Sequence, residues 1–434
     1  MEVVASILLD IFFIYAVAVI ADELMERIHQ PPVIGELLAG VLIGPYALGL
    51  LGMPSAGLAE LFHSETAARE ALNIVYSVLA ELGLVILLFF VGLDTRLSSL
   101  LRVGGRSAIT AVAGIILPFV LGHGFLLVLG LPSIEAFFLG TAMIATSVGI
   151  TARVLADLGY LRTVEARIII GAAVLDDILG MILLAIVSGL ASPSGVSALG
   201  IILLAAEATA FTGFVLLVGT HVIRRFSIHL ERLHIQHAPY VVAILVTLGL
   251  ATLSSFIGLA AVIGAFMAGM VFAESHEKAE LERQATSVYA LLVPFFFVIT
   301  GSHVDWRIFL DTSLVGVALA ITGLAVVGKL FGCGLGAWGM SLRSMLIVGV
   351  GMVPRGEVGL IVASIGLAAN VISSEMFSIA VIVSVLTTLI APPVLSALYG
   401  ARGFATAKQA EERQELAVER EECGEEERHF PPRL

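Results

Sequence analysis

The sequence predicts an all-α polytopic membrane protein with about 13 transmembrane helices, folded as an inverted repeat with two crossing broken helices. Three observations predict it: an extreme composition, apolar runs at membrane-spanning spacing, and two runs interrupted at mid-span. Of 434 residues, 59% are hydrophobic and 13% charged, with a mean hydropathy of +1.04. A soluble domain carries about 25% charged residues, so a soluble enzyme is excluded. The net charge of −12 says little about the membrane part, because residues 403–434 hold nine Glu against five Lys or Arg. No nucleic-acid surface is implied. Cys333 and Cys423 are too few and too far apart for a disulfide framework.

A spanning helix needs about 20 apolar residues. That window finds stretches at 3–24, 33–51, 73–93, 107–130, 135–156, 164–190, 196–223, 238–257, 259–274, 285–304, 310–339, 343–368 and 372–400. The opening MEVVASILLD has no basic n-region, so the first stretch is expected to remain as a membrane helix. Residues 238–273 carry no charge and are too long for one span; Ser254, Ser255 and Gly258 supply the break between the eighth and ninth.

Short loops rich in Lys and Arg stay cytoplasmic. Alternate loops carry Arg27, then Arg96, Arg102 and Arg106, then Arg153, Arg162 and Arg167, then Arg224, Arg225 and Arg232, then Lys278 and Arg283, then Arg343. The other set has only Arg69 and Arg307. The N-terminus is therefore expected outside and the C-terminus in the cytoplasm of a multi-pass protein of the cell (inner) membrane. The acidic tail, 401–434, reads as a cytoplasmic extension with no GxGxxG and hence no nucleotide-binding domain.

Ionisable groups inside spans cost at least about 2.5 kcal/mol each on insertion scales, so they mark partners, water or function. Asp10, Glu81 and Glu207 are lone acids, read as hydrogen-bonded to neighbouring helices or reached by water. His123 and His303 sit near outer helix ends and read as interfacial. Asp176 and Asp177, in GAAVLDDILGMILLAIVSG, are different, being two adjacent carboxylates near the middle of an apolar helix. Neighbours diverge by about 100° around a helix, so one can meet a cation of the protein while the other faces a wet cavity and exchanges a proton. Lys329, in AVVGKLFGCGLGAWG, lies far from both ends of its run and is expected to pair with Asp176 or Asp177.

The fifth stretch, FFLGTAMIATSVGITARVLADLG, has Thr146, Ser147, Gly149 and Thr151 at mid-span; the twelfth, LIVGVGMVPRGEVGLIVASIG, has Pro354 and Gly356. Discontinuous helices at corresponding positions of two halves point to a transporter binding site. The stretches 1–6 and 8–13 match with opposite orientations, and the seventh connects them. Arg355 and Glu357 flank the second break, where they pair with each other or neutralise half-helix ends.

VLDDILG, IATSVGITARVL, the mid-helix Lys329 and MVPRGEVGL together resemble the second cation:proton antiporter family, in its NapA-like sodium/proton branch, over about residues 1–400. The resemblance implies the NhaA/NapA-like antiporter fold and a homodimer in membrane lipid. It also implies a dimerisation domain from 1–93 and 238–307, a mobile ion-transport core from 94–190 and 308–400, a linker helix in 191–237 and the tail 401–434. It makes Asp177 the shared ion and proton carrier, Asp176 the partner of Lys329, and Thr146 and Ser147 contributors of oxygen to Na+ beside Asp177. The transported ions would be Na+, Li+ or K+ and H+, with no cofactor and no enzymatic activity, exchanged by elevator-type alternating access in the service of pH homeostasis. Potassium/proton exchange is the runner-up. A cation channel is a more distant rival, since broken helices and acids also line pores. An intramembrane aspartyl protease needs its carboxylates on two facing helices, and here they are neighbours on one.

Overall fold

The computed structural model describes residues 2–400, apart from positions 29, 59, 61, 311 and 356 and the segments 53–57, 192–197, 216–236 and 276–277. The described residues are helical, without a strand. In chain order the helices are α1 (Glu2–Arg27), α2 (Pro32–Ile43), α3 (Glu65–Leu93), α4 (Leu97–Val128), α5 (Ser133–Ala142), α6 (Val148–Asp157), α7 (Val164–Ala191) and α8 (Ala198–Phe214). They continue with α9 (Ala238–Phe256), α10 (Ala261–Phe272), α11 (Lys278–Ser302), α12 (Thr312–Gly334), α13 (Leu342–Gly351), α14 (Glu357–Ala368) and α15 (Ser374–Tyr399). Seven of those described are long and apolar enough to cross a membrane.

Several helices outrun the apolar windows. α3, α4 and α11 begin at Glu65, Leu97 and Lys278 rather than at 73, 107 and 285, because polar first turns continue a helix beyond the hydrocarbon that the window senses. The second run is instead shorter: Gly44 caps α2 and the chain turns through Pro45. The linker segment falls partly on α8; its continuation and the acidic tail lie outside the described residues.

The helices pack as two groups. α1, α2, α3, α9, α10 and α11 lie against one another, with α11 on α2 and α3, and α10 on α3 and α9. The other group is α4 to α7 with α12 to α15, centred on the α4–α12 and α4–α7 contacts. Apolar side chains gain nothing from leaving lipid, so helix association in a membrane depends on close backbone approach at small residues. At Gly40 a Cβ would lie 2.0 Å from the carbonyl oxygen of Val298 on α11. Gly92 of α3 and Gly269 of α10 are each other's contact, with 2.7–2.8 Å between a Cβ built on one and the Cα of the other.

Loops of the arginine-rich set come together on one face. Arg162 pairs with Asp94 at 2.7 Å and Lys278 with Glu282 at 2.9 Å, while Arg343 donates to the carbonyl of Leu398 at 2.7 Å. Asp94 holds the Arg162 guanidinium still further above its ordinary range. The opposite ends of the helices meet through the Trp306 indole donating to the Tyr46 carbonyl and the Ser373 amide donating to Glu135.

Candidate functional site

Two extended segments cross in the middle of the second group. α5 ends at Ala142 and α6 starts at Val148, leaving 143–147 non-helical; α13 ends at Gly351 and α14 starts at Glu357, leaving 352–355 without helical pairing. Each break exposes carbonyls that the hydrocarbon cannot satisfy, and each is capped by the other chain segment. The Thr151 hydroxyl donates to the Gly351 carbonyl at 2.6 Å and the Thr146 hydroxyl to that of Met352 at 3.4 Å. In return, the Arg355 guanidinium donates to the carbonyls of Ile144 and Ala145 at 3.0 and 3.1 Å, at the partially negative end of α5. The Ser147 amide donates to the Pro354 carbonyl at 2.8 Å and joins the segments directly. Pro354 itself brings no N–H to satisfy.

α7 starts at an N-cap, the Thr163 hydroxyl accepting from the Ala166 amide, and carries the two aspartates to its middle. Asp176 is buried and turned toward α12, where Lys329 is completely buried. The Lys329 ammonium lies 3.4 Å from Asp176 Oδ2 and donates to the Thr146 hydroxyl at 2.7 Å. Gly114 of α4 leaves room for this lysine run: a Cβ there would stand 2.3 Å from the Cys333 sulfur. Asp177 is half-buried and turned elsewhere. It lines a narrow cleft of about 10 Å³ between the two helix groups, with Val148 and Val174 on its own side and Leu88, Val262 and Phe266 opposite.

A sequence profile described as "Sodium/hydrogen exchanger, transmembrane" matches residues 12–399. The chain is 37% identical over 418 residues to the high-affinity Na(+)/H(+) antiporter NhaS3 of Synechocystis, covering 92% of this chain and 90% of that protein. This chain belongs to the sodium/hydrogen exchanger family. A second relative, the Na(+)/H(+)-K(+) antiporter GerN of Bacillus cereus, is 35% identical across 88% of the exchanger-family chain and 94% of its own length. The solved structure of the sodium proton antiporter MjNhaP1 from Methanocaldococcus jannaschii shares the fold, with a TM-score of 0.62 at 19% identity, over 93% of this chain and 99% of that one.

The structure thus brings together Thr146, Asp176, Lys329 and Arg355, places the Ser147 backbone at the crossing, and puts Asp177 on the adjoining cleft. Glu357 opens α14, and its side chain lies outside the described residues. Asp10 accepts from the Tyr76 hydroxyl at 2.7 Å, while Glu81 and Glu207 sit on exposed sides of α3 and α8. One residue is corrected: Arg153, read as a loop cation, lies inside α6 and is buried against Glu36 of α2. A single Glu in an apolar run, PPVIGELLAG, was the available signal for its partner.

Proposed function

We propose that this chain is a secondary active sodium/proton antiporter of the cell membrane, with about thirteen spans, a cytoplasmic C-terminus and Asp177 as the carboxylate shared by cation and proton. The observation that carries the reading is the division of the aspartate pair. Asp176 is committed to Lys329, whereas Asp177 faces the cleft between two helix groups beside the helix crossing. Relatives with Na(+)/H(+) antiporter in their names across nearly the whole chain support the substrate assignment.

A bare Na+ needs several oxygen ligands. Asp177, the Thr146 and Ser147 hydroxyls and carbonyls of the unwound segments are the oxygens this region offers. Carboxylate protonation and cation binding exclude each other at Asp177, which couples the two fluxes. Thr146 adds a second link, because its hydroxyl already accepts from Lys329. A cation that takes this oxygen competes with the lysine for it.

The packing supports alternating access of elevator type. The α4–α7 and α12–α15 group forms the moving body, the group from α1–α3 and α9–α11 forms the scaffold and the homodimer contact, and α8, which packs on α7, belongs to the linker. Gathering of the arginine-rich loops on one face supports the assigned sidedness.

The test is proton flux in proteoliposomes on separate addition of Na+, Li+ and K+. Sodium is expected to drive protons the other way. Potassium is the second reading, favoured by the name of the Bacillus cereus relative. Cation movement without a countermoving proton would make the protein a channel and overturn the proposal.

A further inference from the structure

One face of α3 meets the moving body, and it changes character at mid-span. In the second half of the helix Leu88 lines the Asp177 cleft. Leu84 fills the space beside Gly149 of α6, where a Cβ would stand 2.7 Å from Leu84 Cδ1. Towards the start of α3 the same face continues through Glu81, Ser77, Asn73 and Glu70, each three or four residues from the last. All four are exposed.

The opposite face is buried in the scaffold at Ala68, Leu72 and Tyr76, and the Tyr76 hydroxyl donates to Asp10 at 2.7 Å. Ile74 and Val78 are exposed too. They share the helix side of Val85 and Phe89, which leads to α10, where Gly269 lies against the Phe89 carbonyl. The polar residues are thus gathered on the side of α3 that faces the moving body, and the apolar ones lie beside it.

Of the first broken helix, α3 packs on α6 rather than on α5. The upper part of the polar stripe is therefore left open above the helix crossing. Glu81 is two turns, about 10 Å, from Leu88, well inside the apolar run. A carboxylate at that depth is too costly to leave in lipid, so the stripe borders water. On the sidedness proposed above, it leads from the outer end of α3 down to Asp177.

We propose that Glu81, Ser77 and Asn73 form a recruitment site for a monovalent cation in this outer vestibule, from which the ion passes to Asp177. Residues four apart are neighbours on a helix surface, so the three side chains present a carboxylate, a hydroxyl oxygen and an amide oxygen in a row. One full charge and two neutral oxygens suit a single-charged ion that keeps part of its water. A narrow wall of one sign also raises the local concentration of counter-ions. α3 belongs to the scaffold and Asp177 to the moving body, so the site acts on the outer step of the cycle alone. This role rests on the antiport reading, whereas the water-filled vestibule does not.

Glu81→Gln tests the site in right-side-out and inverted vesicles, at alkaline pH where few protons compete. The KM for Na+ offered from outside is expected to rise about fivefold, the effect of one charge about 10 Å away in a wet vestibule. Glu81→Lys doubles the charge change and is expected to raise it about twenty-five-fold. From the cytoplasmic side KM is expected to stay within about twofold of wild type, as is the maximal rate. The outer difference is expected to vanish in about 1 M choline chloride, which screens charge beyond a few ångströms, and Glu81→Asp is expected to keep the wild-type KM. Should Glu81→Gln not fold, Ser77→Lys sets a cation on the same stripe and is expected to raise the outer KM likewise. An unchanged outer KM in these variants overturns the site, and equal rises from both sides with a lowered maximal rate make Glu81 a structural residue. Independently of transport, Ser77→Cys in a Cys423→Ser background is expected to react with an impermeant thiol reagent added outside, since Cys333 is buried. Absence of labelling means that lipid or a second copy covers the stripe, and overturns the vestibule. If no cation drives flux in the wild type, the antiport reading fails, and the labelling alone decides the vestibule.

Discussion

Lys329→Met removes one ammonium and little volume, and its cost follows from the contacts. The side chain is fully buried, 2.7 Å from the Thr146 hydroxyl and 3.4 Å from Asp176. Asp176 Oδ1 already lacks a hydrogen-bond partner, so the substitution leaves a buried carboxylate without its ammonium partner. Breaking a buried pair from one side costs about 3–5 kcal/mol. At about 2.1 cal/mol/K of unfolding entropy per residue, a chain of 434 residues loses about 1 °C of midpoint per kcal/mol, so the expected drop is about 3–6 °C. The assay is thermal unfolding in detergent, with Asp176→Asn and the double variant alongside. Removing both charges is expected to restore most of the loss, since coupling between contacting residues reaches about 3 kcal/mol. A Lys329→Met midpoint within 1 °C of wild type, or a double variant as unstable as the sum of the singles, would refute the buried pair. In transport, Lys329→Gln is expected to weaken exchange without abolishing it, and to shrink its response to an imposed membrane potential. Unchanged voltage dependence would make Lys329 a structural cation only.

Asp177→Asn is expected to abolish exchange of every cation in a protein that still inserts, because an amide keeps the shape but carries neither a proton nor a full charge; near-normal flux would sink the mechanism. In right-side-out vesicles an impermeant thiol reagent is expected to label Ser64→Cys and spare Cys423, and the reverse pattern would overturn the assigned sidedness. Gly40→Ala places a Cβ 2.0 Å from the Val298 carbonyl oxygen and is expected to cost about 1–3 kcal/mol by separating α2 from α11, read as a lowered midpoint; an unchanged midpoint would mean the two helices shift apart freely.

The legible part of the fold is what the bilayer enforces. Every spanning backbone must satisfy itself, so the apolar runs are long, and the exceptions stand out where Thr146, Ser147 and Pro354 interrupt them. The aspartate pair was equally plain, because two adjacent charges in an apolar helix have no bland explanation. The partners of Arg355 were not plain. They are backbone carbonyls of Ile144 and Ala145, and a carbonyl is present at every position of every sequence. Glu36 and Arg153 escaped for a different reason: they lie 117 positions apart, and each alone looks like a charge near a helix end. Pairing between distant runs depends on helix rotation and depth, which hydropathy does not encode.

The crossing also explains why a lysine and a threonine are set beside two acids. A cation site built only from acids holds its ion too firmly to release it, and one built only from carbonyls offers a proton no carboxylate. Here the charge of Asp176 is offset by Lys329, which on the proposed reading leaves Asp177 as the carboxylate of the pair that one Na+ or one proton neutralises. Lys329 also occupies the Thr146 hydroxyl, which in turn caps the broken end of α13 through Met352. On the proposed reading a cation reaching that oxygen displaces the lysine and loosens the cap at once. On that same reading, binding at Asp177 is felt by α13, a helix that does not line the cleft, and the two broken helices would respond to the ion as one unit.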